Sequence, residues 1–115
     1  MERSQMSDTL LPQFLKWGNY KSKASENPDI IQVEVIDPEP FETQFDWNVL
    51  TKLDMLDTNI PLKAKSTNKK LYRQYSKLLH AGKIKSGTAL EIKTWLRKSS
   101  RNPENELRDF EVKVL

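Results

Sequence analysis

One helical stripe divides this chain. Leu71, Tyr75, Leu78 and Leu79 recur at i, i+4, i+7 and i+8, the spacing of one helix face. Three stretches with strand character precede it and two follow. A chain ordered strand, strand, strand, helix, strand, strand buries its single helical stripe against one sheet, either rolled into a barrel or covered as an α+β layer. Thr67 or Ser66 can cap the helix, and Gly82 is placed to stop it in a left-handed conformation. Lys69, Lys70, Arg73 and Lys77 fall mostly on the face opposite the leucines. In a first turn the helix dipole disfavours each cation by about 0.3–1 kcal/mol, so local stability does not ask for Lys69 and Lys70 there.

The strand assignments rest on period-two alternation. "IIQVEVI" (30–36) sets Val33 and Val35 against Gln32 and Glu34, and "DPEP" is expected to end it. "FETQFDWNVL" (41–50) then places Phe41, Thr43, Phe45, Trp47 and Val49 on a core face, with Glu42, Gln44, Asp46 and Asn48 opposite. "TKLDMLDTN" reads as a turn or short extension, and "IPLKA" as a short third strand in which Pro61 marks an edge or an irregular position. Beyond the helix, "KIKSG" is a turn and "SRNPENE" a loop. "LRDFEVKVL" turns Phe110, Val112 and Val114 inward.

The fourth strand, "TALEIKTWLRKS" (88–99), raises the functional question. Leu90, Ile92, Thr94 and Leu96 share one face, which leaves Trp95 on the other between Lys93 and Arg97. Trp95 is then either a stacking platform for an anionic ligand or a buried plug whose cationic neighbours reach out to water. Its exposure decides between them.

Upstream, residues 1–9 read as an unstructured lead-in and 10–115 as a single domain. "LLPQFLKWGNY" (10–20) gathers aromatic side chains that are expected to dock on the core, with Gly18 ending a short helix there. "KSKASENPD" is a loop by composition.

Charge is split along the chain. Residues 1–62 carry five Lys/Arg against eleven Asp/Glu, whereas residues 63–115 carry fourteen against five. The second half therefore holds a basic surface of the kind that nucleic acid meets. The absence of cysteine excludes disulfides and thiolate chemistry and suits an intracellular compartment, cytoplasm or nucleus. No apolar run approaches the roughly 18 residues of a membrane span, and no signal-peptide pattern is visible. The single histidine, His80, sits near the helix end and offers no zinc cluster, and no glycine-rich phosphate loop occurs.

The element order over about residues 30–115 resembles the oligonucleotide/oligosaccharide-binding barrel, the OB-fold, in architecture rather than by a sequence motif. That resemblance implies a mainly β (α+β), five-stranded barrel with one helix between strands 3 and 4. It also implies single-stranded nucleic acid as the partner, held by cations that track phosphates and aromatic faces on which bases stack. The residues that fit are Trp95 as platform and Lys63, Lys65, Lys93, Arg97, Lys98 and Arg101 as the track, with Tyr72 at the rim. The expected function is non-catalytic, sequence-tolerant single-stranded DNA binding in replication, repair or recombination, without a cofactor or metal.

Two other classes compete. A homodimeric protein-interaction module would use Trp95 as its anchor and the acidic and basic halves as complementary surfaces. A metal-dependent nuclease would use Glu91-x-Lys93 with a second acid, for which Asp54 and Asp57 are nearest in sequence. A helix-turn-helix reader of duplex DNA requires two helices where one is legible.

Overall fold

Alternation becomes strand along most of the chain. The computed structural model describes residues 13–43, 46–64 and 69–115. Within them lie β1 (Gln13–Phe14), β2 (Asp29–Glu42), β3 (Asp46–Leu53), β4 (Leu56–Ala64), α1 (Lys70–His80), β5 (Ala89–Lys98) and β6 (Glu106–Val114). The strands form one sheet in the order β1-β4-β3-β2-β5-β6. All neighbours are antiparallel except β1 with β4. Because β2, β3 and β4 are consecutive and β5 returns beside β2, the order β5-β2-β3-β4 is a Greek key, with α1 in the returning connection.

Two expectations change at once. Among the described residues the sheet has six strands rather than five, and it is not closed into a barrel, since no ladder joins β6 to the β4 side. α1 packs against both β4 and β6 and lies between them. The Gln74 carboxamide donates to the Phe110 carbonyl (2.7 Å) and accepts from the Val112 N–H (2.9 Å). A side chain thus takes the place of a neighbouring strand along the outer edge of β6.

The amino-terminal aromatics dock as expected. Leu15, Trp17 and Tyr20 pack on the core. Trp17 donates its indole N–H to the Pro61 carbonyl at 2.8 Å and stands edge-on to Phe110 with ring centres 5.0 Å apart, so one side chain reaches from β4 to β6. The segment continues to β5 and β6, where Arg108 donates to the Tyr20 carbonyl (2.6 Å) and the Leu96 N–H to that of Ser22 (2.7 Å). Gly18 lies inside a 3-10 turn, Trp17–Asn19, instead of ending a helix. Residues 1–9 lie outside the described residues.

The sheet face turned towards α1 is the core. Ile31, Val33 and Val35 from β2 meet Val49, Ile60, Leu90 and Ile92, and α1 adds Leu71 and Tyr75. Tyr75 is 1% exposed; its hydroxyl donates to the Pro38 carbonyl at 2.7 Å, and burial raises its pKa above the ordinary phenol value. Gly82, at φ 75°, stops the helix as expected, and the Lys83 N–H closes back on the Leu78 carbonyl (3.0 Å). Ser66, Thr67 and Lys65 lie outside the described residues.

Proline does not end β2. The strand runs through "DPEP" to Glu42, with register shifts between Val35 and Asp37 and between Asp37 and Phe41. Proline has no N–H for a regular ladder, and the pairing is irregular where Pro38 and Pro40 stand. Phe41 consequently belongs to β2 and pairs with Asn48, so these two share the outer face. Phe41, expected inward, is 37% exposed; Asn48, expected on the polar face, is 1% exposed. Trp47 is half-buried against Tyr72, whereas Phe45 and Gln44 lie outside the described residues. The turn after β3 is tighter than the sequence suggests: Leu53 pairs with Leu56, and Asp54 and Met55 both take left-handed φ (51° and 70°).

Candidate nucleic-acid interface

β5 places its side chains as the alternation requires. Leu90, Ile92 and Thr94 are buried; Glu91, Lys93 and Trp95 are half-buried on the outer face and Arg97 is exposed there. Trp95 is therefore neither a fully exposed platform nor a plug. It lies just past the last β2–β5 pair, Asp29 with Thr94, and its partner in β6 is Asp109.

β6 answers β5 charge for charge. Glu91 faces Lys113, and Lys93 faces Glu111 with their charged atoms 3.9 Å apart. Arg97 donates to Asp109 at 2.7 Å, and Lys70 of α1 reaches the other oxygen of the same carboxylate. Such pairs stabilise the ladder by roughly 0.2–1 kcal/mol each, and they reduce the surplus positive charge beside Trp95. Burial alone would raise the Asp109 carboxyl, but the hydrogen bonds from Lys70 and Arg97 outweigh it and hold the pKa below the ordinary value. Asp109, the ladder partner of Trp95, is thus a carboxylate that fixes two cations, one from the helix and one from the sheet.

The other proposed site residues divide. Lys98 and Arg101 are exposed at the end of β5 and in the β5–β6 loop, close in sequence to Arg97. Lys63 and Tyr72 are elsewhere, on the β3–β4 flank of α1: the Lys63 ammonium lies 5.3 Å from the Tyr72 ring centre, and Tyr72 packs 6.0 Å from Trp47. Asp46 organises that corner by accepting the N–H groups of Trp47 (2.7 Å) and Lys63 (2.9 Å). Burial nevertheless raises its carboxyl above the ordinary value.

The outer face of β2, β3 and β4 carries more acids and amides than cations. Glu34, Lys52 and Asp57 form one cross-strand row and Asp37, Leu50 and Asn59 the next. Exposed Phe14 and Phe41 flank buried Asn48 and Asn59, whose side-chain oxygens have no hydrogen-bond partner among the described residues. Glu91 and Lys93 share a shallow pocket with Glu111 of β6, but not with Asp54 or Asp57. Asp57 lies three strands away across β2 and β3, about 14 Å at ordinary strand spacing.

A groove that no local sequence pattern announces lies between the first turn of α1 and the ends of β5 and β6. It is an open groove of about 510 Å3, with Lys69, Lys70 and Arg73 on one wall and Leu96, Glu106, Leu107 and Arg108 on the other. Arg108 is half-buried and tied to Thr94 Oγ1 (3.1 Å) and the Tyr20 carbonyl; burial lowers its pKa, opposed by Asp29 and Glu106. Aligning the two alternations across "SRNPENE" would have set Trp95 opposite Asp109. No local signal brings Lys69 and Arg73 to Arg108.

Comparison with family models, with curated proteins and with solved structures finds no match to the chain. Among the described residues no helix is long and apolar enough to cross a membrane, and no three His, Cys, Asp or Glu side chains are grouped to hold a metal ion.

Proposed function

We propose that this protein binds single-stranded DNA without catalysis, at the end of the sheet where β5 and β6 extend past β2. One observation carries the reading: Asp109 holds Lys70 and Arg97 beside Trp95. A base stacks on the open side of Trp95, worth about 1–3 kcal/mol, while Arg97, Lys98 and Arg101 follow the phosphates towards the β5–β6 loop. Lys93, already paired with Glu111, is a lesser contact, and Lys63 and Tyr72 extend the path only for a strand that crosses α1. The Greek-key order and the opening between β4 and β6 support an OB-like fold for β2 to β6, with β1 and the Trp17 segment added across the gap.

Tryptophan fluorescence tests the site. Oligo-dT is expected to quench the parent protein and to bind a Trp95→Ala, Arg97→Ala protein at least about tenfold more weakly. Equal affinities for the two proteins would place binding elsewhere. An oligo-rU arm tests the preference for DNA.

A second reading has its own observation. Exposed Ile30 and Leu107 flank the paired charges of the β5–β6 outer face, a mixed surface that suits a protein partner such as a second copy. A tryptophan-dependent dimer with no affinity for oligo-dT would favour it.

A further inference from the structure

The groove between α1 and the β5–β6 ends carries more positive charge than its structural role explains. The one acid in its lining, Glu106, is paired with Lys23 (3.3 Å), and the adjacent Asp109 holds Lys70 and Arg97. Among the described residues, neither Lys69 nor Arg73 pairs with a carboxylate, and both are exposed. Arg108 adds a third cation from the opposite wall, held in place by its bonds to Thr94 and Tyr20. No acidic residue stands in the first turn of α1, where cations oppose the helix dipole.

We infer that this groove is a seat for a phosphomonoester, specifically the phosphate of a nucleotide. An internal phosphodiester carries one negative charge, whereas a terminal phosphate carries about −1.5 to −2 near neutral pH. Lys69, Arg73 and Arg108 share one lining in which Glu106, itself paired with Lys23, is the one acid, and this surplus of positive charge matches the more highly charged group. Leu96 and Leu107 give the same groove an apolar wall for the flat of a base or sugar, and about 510 Å3 lies within the range of small-ligand sites. The phosphate can belong to a free nucleotide or to the end of a strand. Only the strand-end form rests on the single-strand reading above.

The test is calorimetric titration of the full chain with dTMP, with thymidine, and with oligo-dT of one length bearing a 5′-phosphate, a 3′-phosphate or hydroxyl ends. dTMP is expected to bind about tenfold or more tightly than thymidine, as charge-assisted contacts require. Lys69→Gln with Arg73→Gln removes that difference. Lys113→Gln, an exposed change outside the groove, keeps it, and thermal melts verify that each variant is folded. Tighter binding of one phosphorylated oligo-dT identifies a strand end as the source; dTMP selectivity without end preference identifies a free nucleotide. If oligo-dT binds but neither comparison shows phosphate selectivity, the groove assignment is overturned and the single-strand reading stands. If no oligonucleotide binds while dTMP selectivity persists, the single-strand reading fails and the groove remains. Selectivity unchanged in the double variant also overturns the groove.

Discussion

Trp95 and Asp109 face one another across the β5–β6 ladder, and the carboxylate of Asp109 holds a cation from α1 and another from β5. This joint links the helix to the sheet and sets charges around the one tryptophan on the outer face. The same group stabilises the fold and shapes the candidate site.

Its folded pKa is depressed, so its contribution is present above the ordinary aspartate value, about 3.9, and is lost as pH falls through the depressed value. Asp109→Asn is expected to be less stable than the parent at pH 7, by about 1–3 kcal/mol. The gap should narrow below roughly pH 4. Urea unfolding of both proteins at several pH values measures it. Asp46, whose pKa is raised, works in the opposite sense, and comparison at a single site separates the two. A gap that stays constant with pH contradicts the assignment.

Gln74 protects an edge. Gln74→Ala leaves the Phe110 carbonyl and the Val112 N–H without their side-chain partners, at an expected cost of about 1–3 kcal/mol. The uncovered edge should also pair with other chains, so light scattering should show self-association rising with concentration. A stable monomer would show that the edge needs no cover.

Trp17 spans the opening of the sheet. Trp17→Phe should lose little more than the bond to Pro61, about 1 kcal/mol, whereas Trp17→Ala should lose about 2–4 kcal/mol by emptying the space beside Phe110. Denaturant midpoints of the two variants measure the difference. Similar losses would mean that the indole bond, not the packing, holds the segment.

The β3–β4 turn offers a gain. Met55 is 86% exposed and held at φ 70°, a conformation that costs a side-chain-bearing residue about 1–2 kcal/mol. Met55→Gly should therefore raise stability by about 1 kcal/mol, seen as a higher melting temperature. No gain would indicate that the turn relaxes around Met55 at little cost.

Local pattern carried the reading of the fold as far as local pattern reaches. The alternation of β5, the stripe of α1 and the stop at Gly82 are set by neighbours within a few residues, and the structure has all three. The continuation of β2 through Pro38 and Pro40 was not legible, because it depends on register shifts against β3 and on the Tyr75 hydroxyl donating to the Pro38 carbonyl. β1 is two residues long and exists only by pairing with Thr58 and Asn59. At the candidate site the sequence places Trp95 between Lys93 and Arg97, but the acids that neutralise them come from β6. The groove is assembled from Lys69 and Arg108, which are far apart in the chain.

Salt dependence of DNA binding tests the central claim most directly. With Arg97, Lys98 and Arg101 meeting about three phosphates, log K for oligo-dT should fall with log salt at a slope of about −2. Duplex DNA of the same length should bind more weakly at every salt concentration. Absence of binding, a salt-independent affinity, or tighter binding to duplex would contradict a single-strand track beside Trp95.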